Sequence, residues 1–212
     1  NLLEGALIVL LILVFFLGNI RAGLIVASVI PLSMLFAVGM MNLFGVSGNL
    51  MSLGALDFGL IVDGAVIIVE AVLYQLHAKE KGLQRLSSTD MNETVEKAAA
   101  KMMNAAVFGQ VIILIVYIPI LSLTGIEGKM FKPMAQTVAF ALVGAFILSL
   151  TYVPMLTSLG LSKKMPEKEN FSDRMMNALQ IRFKNLLTKF LLHPVKVIIV
   201  SLSLFVISIL VA

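Results

Sequence analysis

The chain has 212 residues, 59% of them apolar and 13% charged, and its mean hydropathy is +1.02. Average soluble proteins carry roughly 25% charged residues, so too little polar surface is present here to cover a water-soluble globule. A soluble enzyme, a disordered segment and a nucleic-acid-binding domain are therefore disfavoured. The absence of cysteine removes disulfides, thiolate metal sites and cysteine nucleophiles. The expected fold class is all-α, a polytopic transmembrane helix bundle.

The chain opens on Asn1-Leu2-Leu3-Glu4, which is no basic signal-peptide n-region, and closes at Ala212 inside an apolar run. The expectation is an internal piece of a longer protein. A helix needs about 20 apolar residues to cross a bilayer. No charge interrupts the stretches Gly5–Ile20, Ala22–Leu56, Met102–Ile126, Pro133–Ser162 and Val197–Ala212. The second stretch is too long for one crossing and divides at the turn-type cluster Gly45-Val46-Ser47-Gly48-Asn49. Six crossings are thus predicted, near 2–17, 22–44, 49–76, 103–124, 134–161 and 195–212. Pro31, Pro119 and Pro154 fall inside them as candidate kinks. Residues 77–101 read as a mixed-charge linker, with Ser87-Ser88-Thr89-Asp90 and Glu93 able to cap a short helix. In 170–192 the apolar residues Phe171, Met175, Leu179, Phe183, Leu186 and Phe190 recur at steps of three and four among Arg174, Arg182, Lys184 and Lys189. That pattern predicts an amphipathic helix in the cytoplasmic interface, with a soluble helix packed on the bundle as the alternative.

The basic residues orient these crossings. With six of them, 14 of the 16 Lys and Arg fall on one side and only Lys129 and Lys132 on the other. By the positive-inside rule the long basic loops are cytoplasmic, which places a multi-pass protein in the inner membrane.

Three carboxylates, Asp57, Asp63 and Glu70, all lie in the third predicted crossing. An Asp at a helix centre costs about 2.5–3.5 kcal/mol on insertion scales, so such residues usually mark an ion or proton path. Asp63 and Glu70 are seven residues apart and share one helix face. Asp57 stands about 120° from Asp63 around the axis and about 9 Å along it. Apart from Lys196 at the edge of the last, no Lys, Arg or His lies within another crossing to neutralise them. Low dielectric favours the neutral acid, and a group of this kind takes up and releases a proton, as a driven transporter requires. Two other readings stand beside this one: a hard metal ion held by carboxylate oxygens, and a carboxylate hydrogen-bonded to a neighbouring helix for packing alone. Thirteen methionines form no spaced column, and His77 and His193 stand apart, so no resident metal or cofactor is expected. No phosphate-binding loop or serine nucleophile context is present, and no enzyme activity is expected.

The run from Leu56-Asp57-Phe58-Gly59 through Asp63-Gly64 to Val69-Glu70 resembles the fourth transmembrane helix of heavy-metal efflux pumps of the resistance–nodulation–division superfamily, in their cobalt–zinc–cadmium branch. Phe16-Leu17-Gly18-Asn19-Ile20-Arg21-Ala22, Ile30-Pro31-Leu32-Ser33, Asn49-Leu50-Met51-Ser52-Leu53-Gly54 and Gly125-Ile126-Glu127-Gly128-Lys129-Met130-Phe131-Lys132-Pro133-Met134 are similar to the same family. The resemblance implies half of a twelve-crossing membrane domain. It also implies a proton-driven antiporter in which Asp57, Asp63 and Glu70 form the relay, with Asp63 central. It further implies a homotrimer joined to a periplasmic adaptor and an outer-membrane channel, with the metal ion as cargo and the proton as coupling ion. Asp63-Gly64 stands where drug exporters have two adjacent Asp residues, and Ile61 and Ile68 stand where copper and silver members have Met. Both departures favour a divalent cation. Ala71 replaces a common Asn, and Ala105-Ala106 an Arg-Pro pair. The alternatives are a copper–silver or drug-exporting pump, or a structural membrane segment without transport of its own. The partners of the three carboxylates are expected outside this chain.

Overall fold

A computed structural model describes residues 2–48, 58–79, 88–161, 171–192 and 194–211, and every described element is an α-helix. They are α1 (Leu2–Leu17), α2 (Ile20–Phe44), α3 (Phe58–Lys79), α4 (Ser88–Leu121), α5 (Gly125–Leu150), α6 (Tyr152–Gly160), α7 (Phe171–Leu192) and α8 (Pro194–Val211). Among the described residues four helical stretches are long and apolar enough to cross a membrane: Ile20–Phe44, Phe58–Leu76, Thr89–Leu121 and Gly125–Leu150. Glu4–Leu17 in α1 is a shorter apolar helix.

Local chemistry accounts for the breaks. Gly18 takes φ +61° between α1 and α2. Asn19 then caps α2, its Oδ1 accepting from the Arg21 and Ala22 amides at 3.0 and 3.3 Å. Gly45 closes α2 in the left-handed region at φ +66°, and its amide donates to the Met41 carbonyl. α5 and α6 part at Thr151, three residues before Pro154, whose ring nitrogen cannot donate to the Leu150 carbonyl.

Two boundaries differ from the sequence expectation. The described part of the supposed linker, from Ser88 onward, is the beginning of a single 34-residue helix, α4. Its charged side chains obscure the helical spacing of Met91, Thr94, Val95 and Ala98, all of which are buried. α5 likewise begins at Gly125 rather than near 134, so Glu127, Lys129 and Lys132 are helical.

The chain divides into two units, residues 1–167 and 168–212. In the first, the core is built from Val26, Val29, Ala65, Val69, Val72, Leu142 and Val153, all fully buried. α2 lies along α5 and α3 along α4, with α6 against both pairs. Small residues set the closest approaches: a Cβ on Gly144 would stand 2.6 Å from Phe36 Cδ1, and one on Gly23 would stand 2.5 Å from Val14 Cγ2. The second unit comprises α7 and α8. On α7, Leu179, Phe183, Leu186 and Phe190 are exposed, as are Arg182, Lys184 and Lys189.

Candidate functional site

α3 sorts its residues by angle. Ile61, Ala65, Ile68, Val69 and Val72 lie on the side packed into the first unit and are 2% exposed or less. Asp63 and Glu70 are exposed on the opposite side, together with Tyr74 at 70%. Advancing 100° per residue puts Asp63, Glu70 and Tyr74 within about 40° of one another, one narrow stripe along the helix. The shared face expected for Asp63 and Glu70 is therefore present. Asp57 lies outside the described residues.

The described helices of this chain leave that face uncovered. Within this chain Asp63 and Glu70 point out of the bundle, because α4, α5, α2 and α6 pack on the other side of α3. A carboxylate at mid-span cannot be left against hydrocarbon, so this face is one that meets protein or water.

Behind it, α3 is held by small and polar groups. A Cβ on Gly64 would lie 3.2 Å from Ser149 Oγ on α5 and 3.6 Å from Gln110 Nε2 on α4. Gly64 thus admits both side chains to the backbone of α3. Gln110 is 3% exposed, and its Nε2 donates to the Leu60 carbonyl at 3.5 Å. Five other polar residues are buried: Ser33, Thr94, Thr137, Ser149 and Thr157. Each of these donates its hydroxyl to a carbonyl one turn back in its own helix, at 2.6–2.9 Å. Gln110 has no such resort. Its Oε1 is, among the described residues, the one buried side-chain oxygen or nitrogen without a hydrogen-bond partner. The sequence reading passed over Gln110 because it followed charges. The available signal was an amide in the middle of the uncharged run Met102–Ile126, flanked on both sides by apolar residues.

Away from this region the polar chemistry is sparse. Lys97 donates to Glu93 one turn back on the exposed side of α4, and that bond, with the Glu93 charge, raises the Lys97 pKa above its ordinary value. Thr137 Oγ1 also lies 3.4 Å from Met41 Sδ. Among the described residues no three His, Cys, Asp or Glu come together to hold a metal ion.

A model of the AcrB/AcrD/AcrF family matches residues 1–212. Over 200 residues the chain is 49% identical to the cobalt-zinc-cadmium resistance protein CzcA of Cupriavidus metallidurans, covering 93% of this chain and 18% of that protein. It is 52% identical over 135 residues to the nickel and cobalt resistance protein CnrA of the same species, covering 63% of this chain and 12% of the relative. The cation efflux system protein CusA of Escherichia coli is 31% identical over 140 residues, 63% of this chain and 13% of that one. A crystal structure of a heavy metal efflux pump superposes with a TM-score of 0.61 at 39% identity, covering 74% of this chain and 15% of that chain. The chain thus spans less than a fifth of the length of these relatives.

Proposed function

Because the chain belongs to the AcrB/AcrD/AcrF family, we propose that it is the proton-handling membrane part of an efflux pump that exports divalent heavy-metal cations. The pump sits in the inner membrane, crosses it six times within this chain, and keeps its long basic loops in the cytoplasm. As in the family it resembles, it works as a homotrimer with a periplasmic adaptor and an outer-membrane channel. Asp63 is the central proton carrier, Glu70 extends the path along α3, and Asp57, just before that helix in sequence, completes the relay.

The observation that carries this reading is the outward stripe of Asp63 and Glu70 on a helix whose other side is sealed. Neutralising Asp63 removes a charge from the boundary between α3 and whatever covers it. That changes which packing of α3 is stable, so a local protonation becomes a shift of a helix. Inward proton flow through this cycle moves the metal-handling parts of the pump. The printed names of CzcA and CnrA, against the lower identity to CusA, support cobalt-, zinc-, cadmium- or nickel-like cargo over a monovalent one.

The test uses the whole protein that contains this chain, reconstituted in liposomes loaded with a pH-sensitive dye. Zn²⁺, Co²⁺ or Cd²⁺ should elicit proton movement in the wild type and none above background in Asp63→Asn, which has no removable proton. Equal flux in the two proteins would return the carboxylates to a packing role. A response to Cu⁺ alone would move the cargo to the copper–silver class.

A further inference from the structure

The geometry points to Gln110 as the group that receives the proton-bearing form of Asp63: when Asp63 is protonated, its O–H donates to Gln110 Oε1. This inference rests on the proton-carrying role proposed for Asp63 and names the partner of its neutral state within this chain.

Four observations lead there. Gln110 is buried and its amide orientation is set by chemistry, since the Leu60 carbonyl can only accept and so takes the NH₂ end. The carbonyl end is left as an acceptor with nothing to accept from, which in a buried site is costly unless a donor arrives. The amide lies against α3 at Leu60 and Gly64, the residues three before and one after Asp63. Leu60 is about 60° from Asp63 around the helix and Gly64 about 100°, so the orphan acceptor borders the carboxylate stripe. Finally, Ser149, the other polar side chain at Gly64, already spends its hydrogen on the Ala145 carbonyl, so it cannot supply the missing donor.

An ionised carboxylate and an amide oxygen are both acceptors and repel one another. A carboxylic acid and an amide oxygen form a good hydrogen bond. The same pair of side chains therefore disfavours contact in one protonation state and favours it in the other. Charged Asp63 stays on the exposed face, where this structure has it; the neutral acid turns toward Gln110. The proton arrives from the aqueous side, forms the O–H bond on Asp63, and returns to water when that hydrogen bond breaks. The other titratable groups described on the packed helices stand away from this level. Glu70 and Tyr74 lie further along α3. On the neighbours, Glu4, Arg21, Tyr117, the α5 group from Glu127 to Lys132 and Tyr152 stand toward helix ends, and the α4 charges stop at Lys101, nine residues or about 14 Å along α4 from Gln110.

The experiment is infrared difference spectroscopy of the whole protein in liposomes, stepped between alkaline and acid pH. A carboxylic-acid C=O band should appear on acidification and be missing in Asp63→Asn. In Gln110→Met, which keeps the length and removes the acceptor, the band should move to higher frequency. Its midpoint should fall by about one pH unit, a tenfold weaker hold on the proton. Wild-type protein with ¹³C-labelled glutamine amides gives a reading that needs no change at Gln110: an amide C=O band should shift down on acidification, and not in Asp63→Asn. An unmoved acid band in Gln110→Met, or an unmoved amide band in the labelled wild type, overturns the assignment of Gln110 alone. Absence of any Asp63-dependent band overturns the proton-carrying role itself, and this inference with it.

Discussion

Ile67 and Ile68 are neighbours on α3, yet Ile68 is sealed in the core at 1% exposure, while Ile67 is half-buried beside the stripe of Asp63 and Glu70. One side of the helix holds the first unit together, and the other carries the chemistry. A helix lets the two coexist because a step of one residue turns the side chain by about 100°, so a structural and a functional sequence can be interleaved without sharing a position. The packed side tolerates only shape; the carboxylate side answers to charge.

Substitution should separate the two sides. The largest effect on stability is expected at the sealed face. Ile68→Ala removes buried methyl groups and should cost about 3 kcal/mol, whereas Ile67→Ala should cost under about 1 kcal/mol. The unfolding midpoints of the two variants in detergent check this, and equal losses would erase the distinction between the faces. Where α2 and α5 meet, Gly144→Ala drives a methyl group to within 2.6 Å of Phe36 Cδ1. The loss should be about 1 kcal/mol, and in a Phe36→Ala background Gly144→Ala should cost much less, because the Phe36 side chain is what must move. Smallest of all is Lys97→Ala on the exposed N-terminal stretch of α4. Its i,i+4 bond to Glu93 is fully solvated, and only a barely measurable fall in melting temperature is expected at neutral pH. The sign is nonetheless defined. The Lys97 pKa is raised in the fold, so the contribution is present below the ordinary value of 10.5 and is lost as pH rises through the higher folded value. Wild type and variant should become indistinguishable in strongly alkaline buffer.

What could be read directly from the residues was whatever a local pattern decides. The break at Gly45 and the spacing of Asp63 and Glu70 both follow from neighbours within one or two turns. The unbroken α4 was hidden because Asp90, Glu93, Glu96, Lys97 and Lys101 dilute the hydropathy of its beginning. A segment that is helical but outside the apolar slab looks like a linker. The outward aim of Asp63 could not be read either, since which side of α3 is covered depends on helices tens of residues away. Gln110 was missed for a related reason. An amide has no charge to attract attention, and its significance arises only where α4, α5 and α3 converge on Gly64.

The buried hydroxyls of Ser33, Thr137, Ser149 and Thr157 bear on how such a chain is assembled. Each travels with its acceptor in the same helix, so that helix can enter the lipid phase alone with those groups already satisfied. Gln110 is different: its NH₂ finds the Leu60 carbonyl only once two helices have come together. Insertion and association are thereby written into different residues, the hydroxyls serving the solitary helix and the amide the finished pair. A glutamine that recognises its neighbour in this way acts as a checkpoint, separating α3 and α4 correctly docked from the same two helices merely resident in one membrane.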